Sequence, residues 1–210
     1  MRSIIRKPNL TPEEWAENDR RVNQMRAEQA ERETQDRIER AGIPKGYRGL
    51  EFTDERVREW ADSPSKGLLL QGGVGRGKTH NACAALEHLA RKGTTARFAT
   101  FDDLLRECRA TYQNRDTEDA VIARHANVGV LCIDDMGKER VTEWSLPIIF
   151  AIINKRSMNA KPTIVTTQYT GQQLVQRMTV GDDSETARAV ISRFMEYDKA
   201  TIEGKDWRRD

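Results

Sequence analysis

The stretch GGVGRGKT, Gly72 to Thr79, limits what this chain can fold into more than any other. It matches G-x-x-x-x-G-K-[ST], follows the apolar run GLLLQ (67–71) and opens a helical text from Lys78 to Lys92 that Gly93 closes. A phosphate cradle needs that context: glycines let backbone N–H groups turn inward, and the helix supplies the positive end of its dipole. Gly72, Gly73, Val74, Gly75, Arg76, Gly77 and His80 are the expected walls. Lys78 is expected to reach the β and γ oxygens, and the Thr79 hydroxyl to ligate Mg²⁺. A chance Gly-Lys-Thr would require strand, loop and helix to coincide by accident. The pattern implies a bound nucleoside triphosphate.

Around that loop, short apolar runs alternate with helical texts. ARFAT (96–100), VGVLCI (128–133) and PTIVTT (162–167) read as further buried strands, and KATIE (199–203) as a fifth. Phe101–Tyr112, Glu118–Ala126 and Leu146–Met158 read as helices between them. Near-continuous apolar strands suit a parallel sheet covered on both faces, so the expected fold is a doubly wound α/β domain of the P-loop kind.

LCIDDMG, 131 to 137, then gains a meaning. It is a second buried strand ending in acid, where such folds place the carboxylate that works with the phosphate loop. Asp134 is expected to hold Mg²⁺ through water, and Asp135 to orient or deprotonate the attacking water. Adjacent carboxylates repel without a cation, which Mg²⁺ would relieve. Aspartate is one methylene shorter than the glutamate often found at the second position, a hint of slow turnover. Glu139 and Glu143 are alternative donors of a longer carboxylate.

Composition changes near residue 45. Thr11 to Ala41 is rich in Glu, Arg, Gln and Ala, starts with Thr-Pro-Glu-Glu, a cap followed by proline and acids, and stops at Gly42 and Pro44. Trp15, Val22, Met25 and Ile38 form a stripe too thin for a core helix. The segment 1–45 therefore reads either as a solvated helical arm or as a docking helix with a few apolar anchors, ahead of a domain over 46–210. The net charge of +2 favours neither a nucleic-acid binder nor a membrane binder. The longest apolar run, LPIIFAII, is too short to span a bilayer, and no secretory segment opens the chain. Three scattered cysteines without a CxxC or HExxH pair point to a reducing cytoplasm and no structural metal.

The runs RIERAGIPKGYRGLEFTD, GGVGRGKTH, VLCIDDMGKERVTEW, IINKRSMNAKPTIVTTQYT and AVISRFMEYDKATIEGKDWR together resemble the AAA+ replicative helicase loaders of the DnaC type and the related IstB transposition ATPases. The resemblance runs from about Arg37 onward and implies ATP as the nucleotide, an expectation to which the lack of an NKxD guanine motif adds. It implies that Gln168 stands where the family carries a polar sensor residue, usually asparagine, near the γ-phosphate. It places Arg193 of ISRF as an arginine finger acting in trans on a neighbouring copy, and Arg208 as a late sensor arginine. The chain ends at Asp210, so a full C-terminal helical lid is not expected. The resemblance further implies a hexameric replicative helicase as partner, gripped by the N-terminal arm, and ATP used as an assembly switch.

One segment, FDDLLRECRATYQNRDTEDAVIARHANVG, is longer than a crossover helix needs. Leu104, Leu105 and Cys108 should face inward, leaving Arg106 and Arg109 on another face, with Tyr112 and Arg115 beyond them. Arginines with one aromatic suit single-stranded DNA, although a solvated face carries the same residues. Other functions fit less of the chain. A transposase helper would keep the ATP chemistry and change the partner. A small-molecule kinase would explain Gly72–Thr79 and Asp134 but not Gln168, Arg193 or the arm. A non-hydrolysing adaptor would explain Asp135 and Gln168.

Overall fold

The computed structural model describes residues 11–113, 116–182 and 184–203. Two compact units make up the chain, Met1–Asp36 and Arg37–Asp210. The first is the greater part of helix α1 (Pro12–Arg40). Thr11 starts it as its composition foretells: the Glu14 N–H donates to Thr11 Oγ1 (3.3 Å) and the Thr11 N–H to Glu14 Oε2 (2.7 Å), a reciprocal cap. Within this unit Trp15 and Met25 stay exposed, at 43% and 62%.

The second unit reaches back to Arg37, ahead of the composition change near residue 45. Ile38, Ala41 and Ile43 are buried in it, and the Phe98 N–H donates to the Ala41 carbonyl. Ile38 is thus a core residue and not part of a thin surface stripe.

Five strands, β1 (Leu68–Gln71), β2 (Ala96–Thr100), β3 (Val130–Asp134), β4 (Thr163–Thr167) and β5 (Asp198–Thr201), pair in the order β2-β3-β4-β1-β5. Every pairing is parallel. Alternation along each strand splits the core in two. Leu68, Leu70, Cys132 and Ile164 face α3 (Lys78–Arg91) and α2 (Glu55–Asp62), while Leu69, Leu131, Ile133 and Val165 face the other layer. That layer contains α4 (Phe101–Tyr112), α5 (Glu118–Ala126), α6 (Ser145–Met158), α7 (Gly171–Met178) and α8 (Glu185–Met195). Helices α2, α7 and α8 are additions to the sequence expectation. The eight-residue α2 and α7 are short and polar enough that packing, not local propensity, makes them helical.

A fully buried arginine locks one end of the sheet. Arg156 of α6 donates to the carbonyls of His125 (3.0 Å), Val128 (2.9 Å) and Pro162 (2.5 Å) and to Thr163 Oγ1 (2.8 Å). Burial brings its guanidinium down to about 10.

Candidate functional site

The carboxyl ends of β1, β3 and β4 converge, the position at which open parallel sheets bind ligands. At the end of β1 the chain turns into α3 through left-handed glycines, Gly75 (φ 74°) and Gly77 (φ 87°). Gly72 has a different reason: any Cβ there would lie 2.4 Å from the Ile202 carbonyl oxygen. The loop and the start of α3 wall a cavity of about 460 Å³. Val74, Gly75, Arg76, Gly77, Lys78, Thr79 and His80 line it, and Asp135 and Gln168 face them from the ends of β3 and β4. Gly72 and Gly73 form the root of the loop, where the Gly73 carbonyl accepts a hydrogen bond from Lys78 Nζ (2.7 Å).

Behind Thr79 sits Asp134, 6% exposed. Its carboxylate accepts from Thr79 Oγ1 (3.0 Å) and from Thr166 Oγ1 (2.6 Å). Burial pushes this carboxyl above the usual aspartate range and the charge of Asp135 adds to the rise, while Thr166, Thr79 and Lys78 pull it back. Asp135 has a left-handed backbone (φ 57°), held because its N–H donates to Thr166 Oγ1 (2.9 Å). Its carboxylate pairs with Lys138 Nζ at 3.3 Å. The two aspartates therefore differ: Asp134 is sealed and Asp135 opens into the cavity.

Hard oxygens at Thr79 and Asp134 fit Mg²⁺ chemically, and a buried carboxylate with hydroxyl neighbours gains from a cation. Among the described residues no group of three or more His, Cys, Asp or Glu is placed to hold a metal. A cation here would take few protein ligands and complete its shell with phosphate oxygens and water, which is the habit of Mg²⁺.

Gln168 lines the cavity and its Nε2 donates to Tyr169 Oη (2.9 Å). Glu139 and Glu143 are exposed and do not line the cavity. Arg193, on α8, is away from this cavity too. It donates to the Asn154 side chain and the Ala189 carbonyl, both at 2.5 Å, and lies over the Phe150 ring. Arg106 and Arg109 are exposed on α4 and share Asp102, at 2.7 and 3.8 Å, while Leu104, Leu105 and Cys108 face inward as their spacing foretells. Arg115, Arg208 and the Tyr112 side chain lie outside the described residues.

Two residues of the site escaped the sequence reading. Thr166 bonds both aspartates, and its signal was a buried strand, TIVTT, with three threonines where apolar residues would pack. Asn81, fully buried, accepts from the Thr53 and Asp54 N–H groups (3.0 and 3.2 Å) and donates to the Gly77 carbonyl (3.0 Å). It fastens a cavity-lining segment to the phosphate loop, and among the polar residues that open α3 nothing in the sequence singles it out.

A parallel sheet in the order β2-β3-β4-β1-β5, with this loop and acidic strand end, has the fold of the AAA+ P-loop ATPases. A family model described as IstB-like ATP binding protein matches residues 13–210, and the chain belongs to that family. The replicative helicase loader DnaC of Escherichia coli K12 is 26% identical over 149 residues, covering 67% of this chain and 59% of the relative. The chain thus spans about 59% of the length of that relative. A putative ATP-binding protein in an insertion sequence of Mycobacterium tuberculosis is 29% identical over 118 residues, covering 56% of this chain and 46% of the relative. Among solved structures, the DnaC helicase loader superposes with a TM-score of 0.60 at 26% identity, over 76% of this chain and 95% of that one. The replication initiator DnaA bound to AMPPCP and single-stranded DNA shares the fold at a TM-score of 0.63 and 20% identity, over 78% and 51%. At the level of the family, this is an ATP-binding protein. Among the described residues no helix is long and apolar enough to cross a membrane.

Proposed function

We propose that the protein is an ATP-dependent loader of a replicative DNA helicase, hydrolysing ATP slowly and using it as an assembly switch. Likeness to DnaC in both sequence and fold carries this reading, at 26% identity in each comparison. The segment ahead of Arg37 is the arm that grips a hexameric helicase, with exposed Trp15 and Met25 as its apolar anchors. The second unit is the ATPase domain.

In that domain the loop N–H groups and Lys78 bind the triphosphate, and Thr79 and Asp134 hold Mg²⁺. The cation supplies charge neutralisation to the phosphates when bound. Asp135 accepts the proton of the attacking water or orients it, and the Gln168 amide steadies the same water. Arg193 completes the site of a neighbouring copy, a role that its place away from its own cavity supports. Arg106 and Arg109 on α4 meet the phosphates of single-stranded DNA.

Co-purification tests the assignment. The full chain is expected to retain the hexameric replicative helicase of its host in the presence of ATP, and a chain lacking residues 1–36 to lose it while still binding ATP. Retention of a transposase instead would establish the second reading, a helper ATPase of transposition, which the insertion-sequence relative favours. Retention of neither would overturn both.

A further inference from the structure

Beyond the aspartates, Thr166 and Gln168, a further side chain joins the two strand ends on which hydrolysis depends. Arg177 is half-buried on α7. Its Nε donates to the Gly137 carbonyl and its Nη2 to the Lys138 carbonyl (2.8 Å), both in the turn that follows Asp135. The same guanidinium lies over the Tyr169 ring, 4.4 Å from its centroid. Tyr169 in turn accepts from Gln168 Nε2 through its hydroxyl (2.9 Å) and from Gln71 Nε2 through its carbonyl (2.8 Å), and Gln71 directly precedes the phosphate loop.

The turn has no slack against this brace. A Cβ on Gly137 would lie 2.5 Å from Leu174 Cδ2 and 3.3 Å from Tyr169 Cδ2, so the backbone presses directly on α7 and the tyrosine. Helix α7 is itself anchored at its start by a reciprocal cap between Thr170 and Gln173 (3.3 and 2.8 Å). Only a planar guanidinium can bridge two carbonyls while stacking on a ring; an ammonium would reach one of the three.

We infer that Arg177 is a positioning residue for ATP hydrolysis: it fixes the turn that carries Asp135 and, through Tyr169, the amide of Gln168. This rests on the roles proposed for Asp135 and Gln168. The bonds of the brace end on the turn, on Tyr169 and on Gln71, and Tyr169 and Lys138 only wall the cavity, so nucleotide binding should be largely spared. A brace that merely stabilised α7 would not separate binding from hydrolysis.

Single-turnover hydrolysis of radiolabelled ATP and titration with a fluorescent ATP analogue, both on the full chain, decide the matter. Arg177→Met is expected to slow hydrolysis about tenfold with the dissociation constant within about twofold of wild type. Arg177→Lys should regain no more than about a third of the lost rate. Tyr169→Phe keeps the stacked ring and removes only the hydroxyl that Gln168 reaches; it should slow hydrolysis about threefold and decides the question alone if the arginine variants fail to fold. Unchanged hydrolysis in these variants, or a fall in affinity as large as the fall in rate, overturns the inference. Asp135→Asn and Gln168→Ala separate the two levels. If both leave hydrolysis intact, the assigned roles fail and the inference with them; if they abolish it while Arg177→Met does not, the inference alone is wrong.

Discussion

Asp134 is a buried carboxylate and Glu107 a half-buried one, and the protein treats them in opposite ways. Burial works to raise Glu107, but hydrogen bonds from His125 and Arg124 and the nearby charge of Arg97 outweigh it and bring the group down to about 2. Asp134 finds two hydroxyls and a like-charged neighbour, with Lys78 helping less, and ends above its ordinary range. Glu107 is satisfied by the fold, tying β2, α4 and α5 together through Arg97 (3.1 Å) and His125 (3.1 Å). Asp134 is under-compensated by the fold, and it lies directly behind Thr79, which lines the cavity. Ionic clusters that complete themselves are structural. A buried charge whose local compensation falls short marks where a ligand contributes.

The largest effect should come from the open partner of Asp134. Asp135→Asn is expected to slow single-turnover ATP hydrolysis about 300-fold with nucleotide affinity within about threefold, since it removes proton acceptance and leaves the phosphate cradle intact. Lys78→Ala should weaken ATP binding about 100-fold by calorimetry, the loss of a charge-assisted phosphate contact. On the other side of the comparison, Glu107→Gln should leave ATP affinity unchanged and cost about 2 kcal/mol of stability, because its carboxyl keeps partial solvent access. For a chain of this size that is roughly 4–8 °C in a thermal melt.

The pH dependence of that stability has a definite sign. A carboxyl lowered from 4.5 to about 2 stabilises the fold fully above the ordinary value, and the contribution disappears as pH falls from there toward 2. Glu107→Gln should flatten this part of an acid-denaturation curve. If it instead reduces ATP affinity, the division between structural and functional carboxylates is broken. The smallest effect belongs to α4. Arg106→Ala/Arg109→Ala should weaken single-stranded DNA binding about tenfold at low salt and reduce the slope of log affinity against log salt by about 1.4, the loss of two phosphate contacts.

Much of this was legible in the residues. The phosphate loop lies where its motif puts it, and α4 and α5 run over the residues their patterns assign, because long periodic texts and glycine punctuation act locally. Helices α2, α7 and α8 were not legible. GQQLVQRM (α7) begins with glycine and holds few apolar residues, so its helix exists through its cap and through Leu174 and Met178 in the core. Arg177 was consequently invisible, since its meaning depends on a turn forty positions away in the chain. Asn81 and Thr166 were hidden for a related reason: a polar residue shows its purpose only once its partners are near. The fifth strand, expected at 199–203, runs Asp198–Thr201 and is mostly exposed, as an edge strand whose pattern is weak should be.

Arg156 has a consequence for how the chain finds its arrangement. Its charge is sealed among carbonyls drawn from the end of α5, the α5–β3 connection and the entry to β4, with no acid paired to it among the described residues. A slip of either strand by one position would strand a cation in an oily interior, a penalty of several kcal/mol where apolar neighbours would forgive the error. The guanidinium thus acts as a proofreader of strand alignment. By discarding misthreaded sheets, it protects the convergence of strand ends on which every reactive group in the cavity depends.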